Sequence, residues 1–294
     1  MAIKQLIFIF LMIITIGCAP NKLCLYSAHQ KLYFPPQTVV DTQKLQAISW
    51  EDFIKKLETV QVVYVGEKHT SKADHALQLK IAQALIEKKK NLAIGLEMVM
   101  RSRQKVLDEW INGKLTEKEL LKKLDWEEVW GHDFSLYRDI FLWAKKHHIP
   151  LIALNAPPGL VKKIAMYGIS SLLPKERAYL AQKVDLNNPE HRAFIEQEYK
   201  RHKHLNKHGI SKFEYFYQAQ CIWDETMAET IAQYLKAHSQ KQLLVFAGKG
   251  HISYKFGVPQ RVIKRLPVSY VTVLPLPTGE KVMPDIADFI YVTK

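Results

Sequence analysis

Cysteine is scarce in this 294-residue sequence, with three in all, which excludes a small module scaffolded by disulfides. With Cys18 set aside, Cys24 and Cys221 form the available pair. Cys221 lies inside AQCIWDETMAETIAQYL, a strongly helical run, and reads as a small buried residue. Apolar runs of membrane-spanning length are also missing: the N-terminal one, Leu6 to Ile16, is too short to cross a bilayer comfortably. There is no RNP, zinc-knuckle or helix-turn-helix signature to support a nucleic-acid partner. The short His-to-His spacing of zinc proteases is absent too, since His69 and His75 are six residues apart with a helix start between them. Acidic residues are in the minority, 29 against 42 Lys and Arg, and the net charge of +13 favours acidic partners such as lipid headgroups or a polyanionic ligand.

The N-terminus, MAIKQLIFIFLMIITIGC, has the layout of a bacterial export signal: Lys4 as a positive start, a short apolar core, then Gly17 and Cys18. Thr15-Ile16-Gly17-Cys18 resembles a lipobox, with Thr15 where Leu is favoured. The expectation is a lipoprotein signal over residues 1–17, lipid on Cys18, and a place in the cell envelope. An uncleaved anchor is the alternative. Ala19 stands where an Asp would retain a lipoprotein at the inner membrane, which points to the outer membrane. Residues 18–60 then read as a linker and lead-in, and residues 61–294 as the folded domain.

Six runs read as strands: 61–65, 91–97, 150–156, 242–248, 269–275 and 288–294. They are nearly continuous in apolar residues, the pattern of strands covered on both faces. Helical patterns separate the first four. Ser71 to Asp74 resembles a capping box, and Leu77, Ile81 and Leu85 fall on one face. The fold class is therefore α/β, a parallel sheet flanked by helices. Residues 102–148 and 159–237 contain helices and no convincing strand, and imply a smaller all-helical subdomain. Thr116 and Glu119 have the spacing of a second capping box.

In such a sheet the carboxyl ends of the strands share one edge, where ligands bind. That edge gathers Gly66-Glu67-Lys68-His69, Glu97, Asn155 and Gly248-Lys249-Gly250-His251, and His75 leans back over it from the first turn of a helix. Glu67, Glu97, His69, His75 and His251 suit a divalent-metal or general acid/base site. They suit equally a polar network that caps helices and orients histidines. A second constellation, WEEVWGHDFSLYRDIFLWAKK, places Phe134, Tyr137, Phe141 and Ala144 on one helical face. It reads as a core face, or as a tyrosine among aromatic rings that ligates ferric haem as a phenolate. The run YKRHKHLNKHG, residues 199–209, is a solvated connector or an anion-binding segment.

Six ordered blocks carry a resemblance: GEKHTSKADHALQLKIAQAL, LEMVMRSRQKVLDEWINGKLT, WGHDFSLYRDIFLWA, IALNAPPGLVKKIA, AQCIWDETMAETIA and FAGKGHISYKFGVPQRV. Together they resemble the ChaN family of haem-binding, iron-regulated bacterial lipoproteins, within a wider group that includes the Tiki metalloproteases and erythromycin esterases. The resemblance implies haem (iron protoporphyrin IX) held by a tyrosine at a homodimer interface, with basic residues on the propionates. Tyr137 is then the first choice of axial ligand, with Tyr217 and Tyr254 as alternatives. His204, His208, Lys163 and His251 are the propionate candidates. Partners implied are haem, the membrane through the N-terminal lipid, a second copy of the chain and an outer-membrane haem receptor. The alternative reading is a metal-dependent hydrolase that uses the crevice of Glu67, His69, Glu97 and His251.

Overall fold

The computed structural model describes residues 21–27, 30–88, 91–202 and 212–294. The signal segment, Cys18, His204 and His208 lie outside the described residues. The strands are β1 (Leu23–Tyr26), β2 (Lys31–Phe34), β3 (Val39–Asp41), β4 (Gln46–Ile48), β5 (Val62–Glu67), β6 (Leu92–Met100), β7 (Leu151–Asn155), β8 (Gln242–Gly248), β9 (Tyr270–Pro277), β10 (Lys281–Val282) and β11 (Phe289–Thr293). The main sheet has the order β4-β3-β11-β9-β5-β8-β6-β7. Its stretch from β11 to β7 is parallel throughout, matching the six apolar runs. β5 and β8 at the centre are buried along their whole length, which is why they read as unbroken apolar runs.

Alternation along these strands divides the core in two. Val63, Val65, Ile94, Leu96, Leu244 and Phe246 face helices Lys72–Glu87, Gln104–Ile111, Glu117–Leu124 and Arg138–Lys146. Val62, Tyr64, Ala93, Leu243 and Val245 face the other way, onto helices Phe213–Ala237 and Val258–Ile263. The helical stretches 102–148 and 159–237 thus cover opposite faces of the sheet, and the second also builds two small cores of its own. Both helix starts read from sequence form. Ser71 accepts from Asp74 N, and Thr116 and Glu119 make a reciprocal capping box. Leu77, Ile81 and Leu85 are buried as one face.

One expectation is corrected. The described part of residues 18–60 is not a linker: β1 and β2 join β10 in a separate three-stranded sheet, and β3 and β4 extend the main sheet antiparallel. Helix Trp50–Glu58 buries Phe53, Ile54 and Leu57. These strands are three or four residues long and punctuated by Pro35 and Pro36, too short for periodicity to show in sequence. Among the described residues no helix is long and apolar enough to cross a membrane.

Register sets the functional edge. Glu67 of β5 lies opposite Gly248 of β8, while β6, on the other side of β8, pairs Leu96 with Phe246. The β6–β7 register then slips: Leu96 faces Ala153 but Met100 faces Asn155. The irregularity falls between Leu96 and Met100, the stretch that contains Glu97, and bulges of this kind re-aim side chains at strand ends.

Candidate functional site

Glu67 is the centre of the first cluster. Its carboxylate is buried, and donors satisfy it: His69 Nδ1 at 2.9 Å and the Tyr137 hydroxyl at 3.0 Å on Oε1, with Gln78 Nε2 at 2.8 Å on Oε2. His75 Nδ1 adds a fourth approach at 3.4 Å, and its Nε2 reaches back to the His69 carbonyl at 3.2 Å. Burial alone would raise the Glu67 pKa, but the hydrogen bonds from His69 and His75 outweigh it and hold the carboxyl at about 2. The same carboxylate pushes both histidines up against the opposing effect of burial. With Nδ1 held by Glu67, His69 turns Nε2 toward Gly248 at the strand edge, 3.1 Å from where a Cβ on that glycine would sit, and its ring meets Trp130 edge-on at 4.7 Å and a tilted His132 at 5.2 Å. A side chain at Gly248 would close this space, since its Cβ would sit 2.9 Å from His69 Cε1.

Glu97 opens the second cluster. Its Oε2 accepts from Gly248 N at 2.5 Å, and its Oε1 lies 3.3 Å from His251 Nε2. The other ring nitrogen of His251 is 2.6 Å from Asp224 Oδ1. Burial lowers the His251 pKa, yet Glu97 and Asp224 more than reverse this and raise it to about 10, so the ring is an imidazolium that donates from both nitrogens. Behind it, Asp224 Oδ2 faces His191 Nε2 at 3.3 Å, and Arg261 joins Asp224 at 3.9 Å to Glu225 at 3.3 Å. Arg265 completes the chain on Glu225 at 2.5 Å. Three carboxylates, Glu97, Asp224 and Glu225, thus meet three cations, His251, Arg261 and Arg265, in a sealed network that ties β6 to helices Phe213–Ala237 and Val258–Ile263. The sequence reading missed Asp224, Glu225, His191, Arg261 and Gln78. Two successive acids in the middle of a helix rich in aromatic residues and Ala were the available signal, because unpaired acids are not buried.

The residues singled out from sequence separate into distinct places. Glu67, His69, His75, Glu97 and His251 converge, as the shared edge requires. Asn155 is buried at the end of β7, where its Oδ1 accepts from Ala156 N at 2.8 Å and shapes the turn into the next helix. Tyr137 is 1% exposed, its hydroxyl donates into Glu67, and burial with that carboxylate raises its pKa strongly, all of which disfavour a phenolate open to a ligand. Tyr217 is fully buried with its hydroxyl on the Asn188 carbonyl at 3.2 Å. Tyr254 alone of the three is half-buried, at a φ of 56°. Lys163 is paired with Glu176 at 2.7 Å, and His251 is sealed between carboxylates, so neither points a cation into the crevice.

Among the described residues no group of three or more His, Cys, Asp or Glu side chains is arranged to hold a metal ion. Donors occupy the oxygens of Glu67 and Glu97, and both ring nitrogens of His251 already face carboxylates. An open cavity of about 650 Å³ lies beside the strand edge, lined by Phe194, Lys249, Tyr254, Phe256, Lys281 and Met283 among others. A larger one of about 980 Å³ runs along β7 and helix Phe213–Ala237, and none of the sequence-named site residues line it.

A family model described as "Haem-binding uptake, Tiki superfamily, ChaN" matches residues 53–262. No curated protein matches the chain. Among solved structures, ChaN of Campylobacter jejuni with cofacially bound haem is similar at a TM-score of 0.69 and 20% identity, over 86% of this chain and 95% of that one. The type III effector HopBA1 is similar at a TM-score of 0.50 and 13% identity, over 82% and 91% of the two chains. At these identities the structures establish a shared fold.

Proposed function

The chain belongs to the haem-binding uptake family of the Tiki superfamily that includes ChaN, and from that premise we propose that it binds ferric haem for iron acquisition, with Tyr254 as the axial ligand. Family membership carries the haem reading. The choice of tyrosine rests on Tyr254 lining the 650 Å³ cavity, a volume within the range of ligand pockets. Its ring stacks on Phe256 at 5.6 Å and meets Phe194 at 5.5 Å, apolar faces suited to a porphyrin. A left-handed backbone at an aromatic residue is uncommon, and such conformations cluster at ligand sites. Haem supplies a ferric centre that accepts a phenolate oxygen. Lys249 and Lys281 line the cavity as propionate partners, among the acids Glu190, Glu198, Glu280 and Asp285. The reading extends to lipid on Cys18, residence at the outer membrane, dimerisation around haem and exchange with an outer-membrane receptor.

A ferric haem titration, followed by absorbance and size-exclusion chromatography, tests this. Saturable binding with a tyrosinate spectrum and a shift to dimer is expected. Tyr254→Phe should lose that spectrum and weaken binding at least about tenfold, while Tyr137→Phe keeps it. The reverse pattern returns the ligand to Tyr137, and no saturable binding ends the haem reading.

A hydrolase reading has one observation in its favour: His69, oriented by a buried Glu67, presents Nε2 to the crevice. There it can take a proton from a water whose oxygen attacks an ester carbon, and give that proton to the alkoxide that leaves as the acyl C–O bond breaks. Ester turnover that disappears in His69→Ala while haem binding persists would support it.

A further inference from the structure

The described chain both starts and ends at the carboxyl edge of the sheet. Lys22 precedes β1; its carbonyl accepts from Gly279 N at 2.9 Å, and Cys24 N donates to the Glu280 carbonyl at 2.9 Å. Gly279 and Glu280 follow the carboxyl end of β9, so the chain enters the fold there. β11 runs parallel to β9 with Thr293 opposite Pro277, and Lys294 leaves at the same edge. Glu280, Lys281, Val282 and Met283, which adjoin this entry point, also line the cavity that holds Tyr254. Cys18 lies four residues before Lys22, a tether of about 14 Å at full extension.

We propose that, given the Cys18 lipid of the functional reading on which this rests, the carboxyl edge of the sheet lies against the anionic bilayer surface, so that the cavity opens toward the membrane. The tether is shorter than the sheet is tall: the seven residues of β8 rise about 23 Å, so the opposite edge cannot be the one held at the bilayer. Lys22, Lys281 and Lys294 are exposed around the entry point and face anionic headgroups, while the cavity also carries acids, Glu190 and Asp285 exposed and Glu198 and Glu280 half-buried. Met283, 48% exposed beside them, offers an apolar contact to the interface. A planar apolar ligand leaving this cavity then meets lipid before bulk water.

The test uses the full chain, matured in bacterial membranes and reconstituted in phosphatidylethanolamine and phosphatidylglycerol vesicles that contain a headgroup nitroxide lipid. Cys24 and Cys221 are buried, so a dye can be directed to Met283→Cys at the cavity rim or to Gln240→Cys, exposed just before β8 at the opposite edge. The dye at 283 should be quenched several-fold more than the dye at 240. Equal or reversed quenching overturns the orientation. Mass spectrometry of the N-terminal peptide separates the premises: absence of diacylglycerol on Cys18 overturns the anchor and this proposal together, whereas lipid present with no difference in quenching overturns the orientation alone.

Discussion

His69 and His251 each follow an apolar strand and a glycine, yet the fold treats them as opposites. His69 gives one nitrogen to Glu67 and keeps the other toward the crevice, with about a third of its side chain exposed. His251 gives both nitrogens to carboxylates and is 6% exposed. The difference is in what surrounds them. Glu67 holds one nitrogen of His69 and leaves the ring partly exposed, whereas Glu97 and Asp224 close on His251 from two sides and make it part of the frame. A carboxylate and an imidazole in contact are therefore not a reactive site by themselves; the count of partners on each nitrogen decides.

The largest effect should come from opening the sealed side. Asp224→Ala leaves the His251 and Arg261 charges short of a buried partner and should cost about 3–5 kcal/mol by chemical denaturation. A loss comparable to a surface mutation would mean that the network is solvated. Next is a dependence on pH. His251 titrates at about 10 in the folded protein against 6.5 in its unperturbed state, so its contribution is complete below pH 6.5 and is lost as pH rises through 10. Between those values stability should fall by about 1.4 kcal/mol per pH unit, because the folded state holds one more proton. Glu67 has the opposite sign: its contribution is present above pH 4.5 and is lost as pH falls through about 2. Measured stability against pH should lose its alkaline arm in His251→Gln and keep its acid arm. Tyr137→Phe removes one of several donors to Glu67 and should cost about 1 kcal/mol in thermal or denaturant unfolding. His69→Ala removes another donor from the same buried carboxylate and should likewise cost about 1 kcal/mol by the same assay, and a loss as large as that of Asp224→Ala would make His69 a structural residue like His251.

The strands and the residues at their ends were legible because buried parallel strands appear as apolar runs, and such a sheet brings its carboxyl ends to one edge. Glu67, Glu97, His69, His75 and His251 could be placed together on that rule alone. Asp224 and Arg261 could not, because they come from helices packed behind the edge, and helix-to-sheet contacts leave no fixed spacing in sequence. The short strands β1 to β4 were equally hidden, since three or four residues cannot display a period.

The sequence by itself determined the α/β class, the shared edge and the family, through apolar runs long enough to read and ordered blocks specific enough to match. Only the tertiary structure decided that His251 is sealed and His69 is open, that Tyr137 is committed to Glu67, and that Tyr254 lines a cavity. Those outcomes depend on which side chains from distant elements reach the same few ångströms, where burial and charge pairing act together.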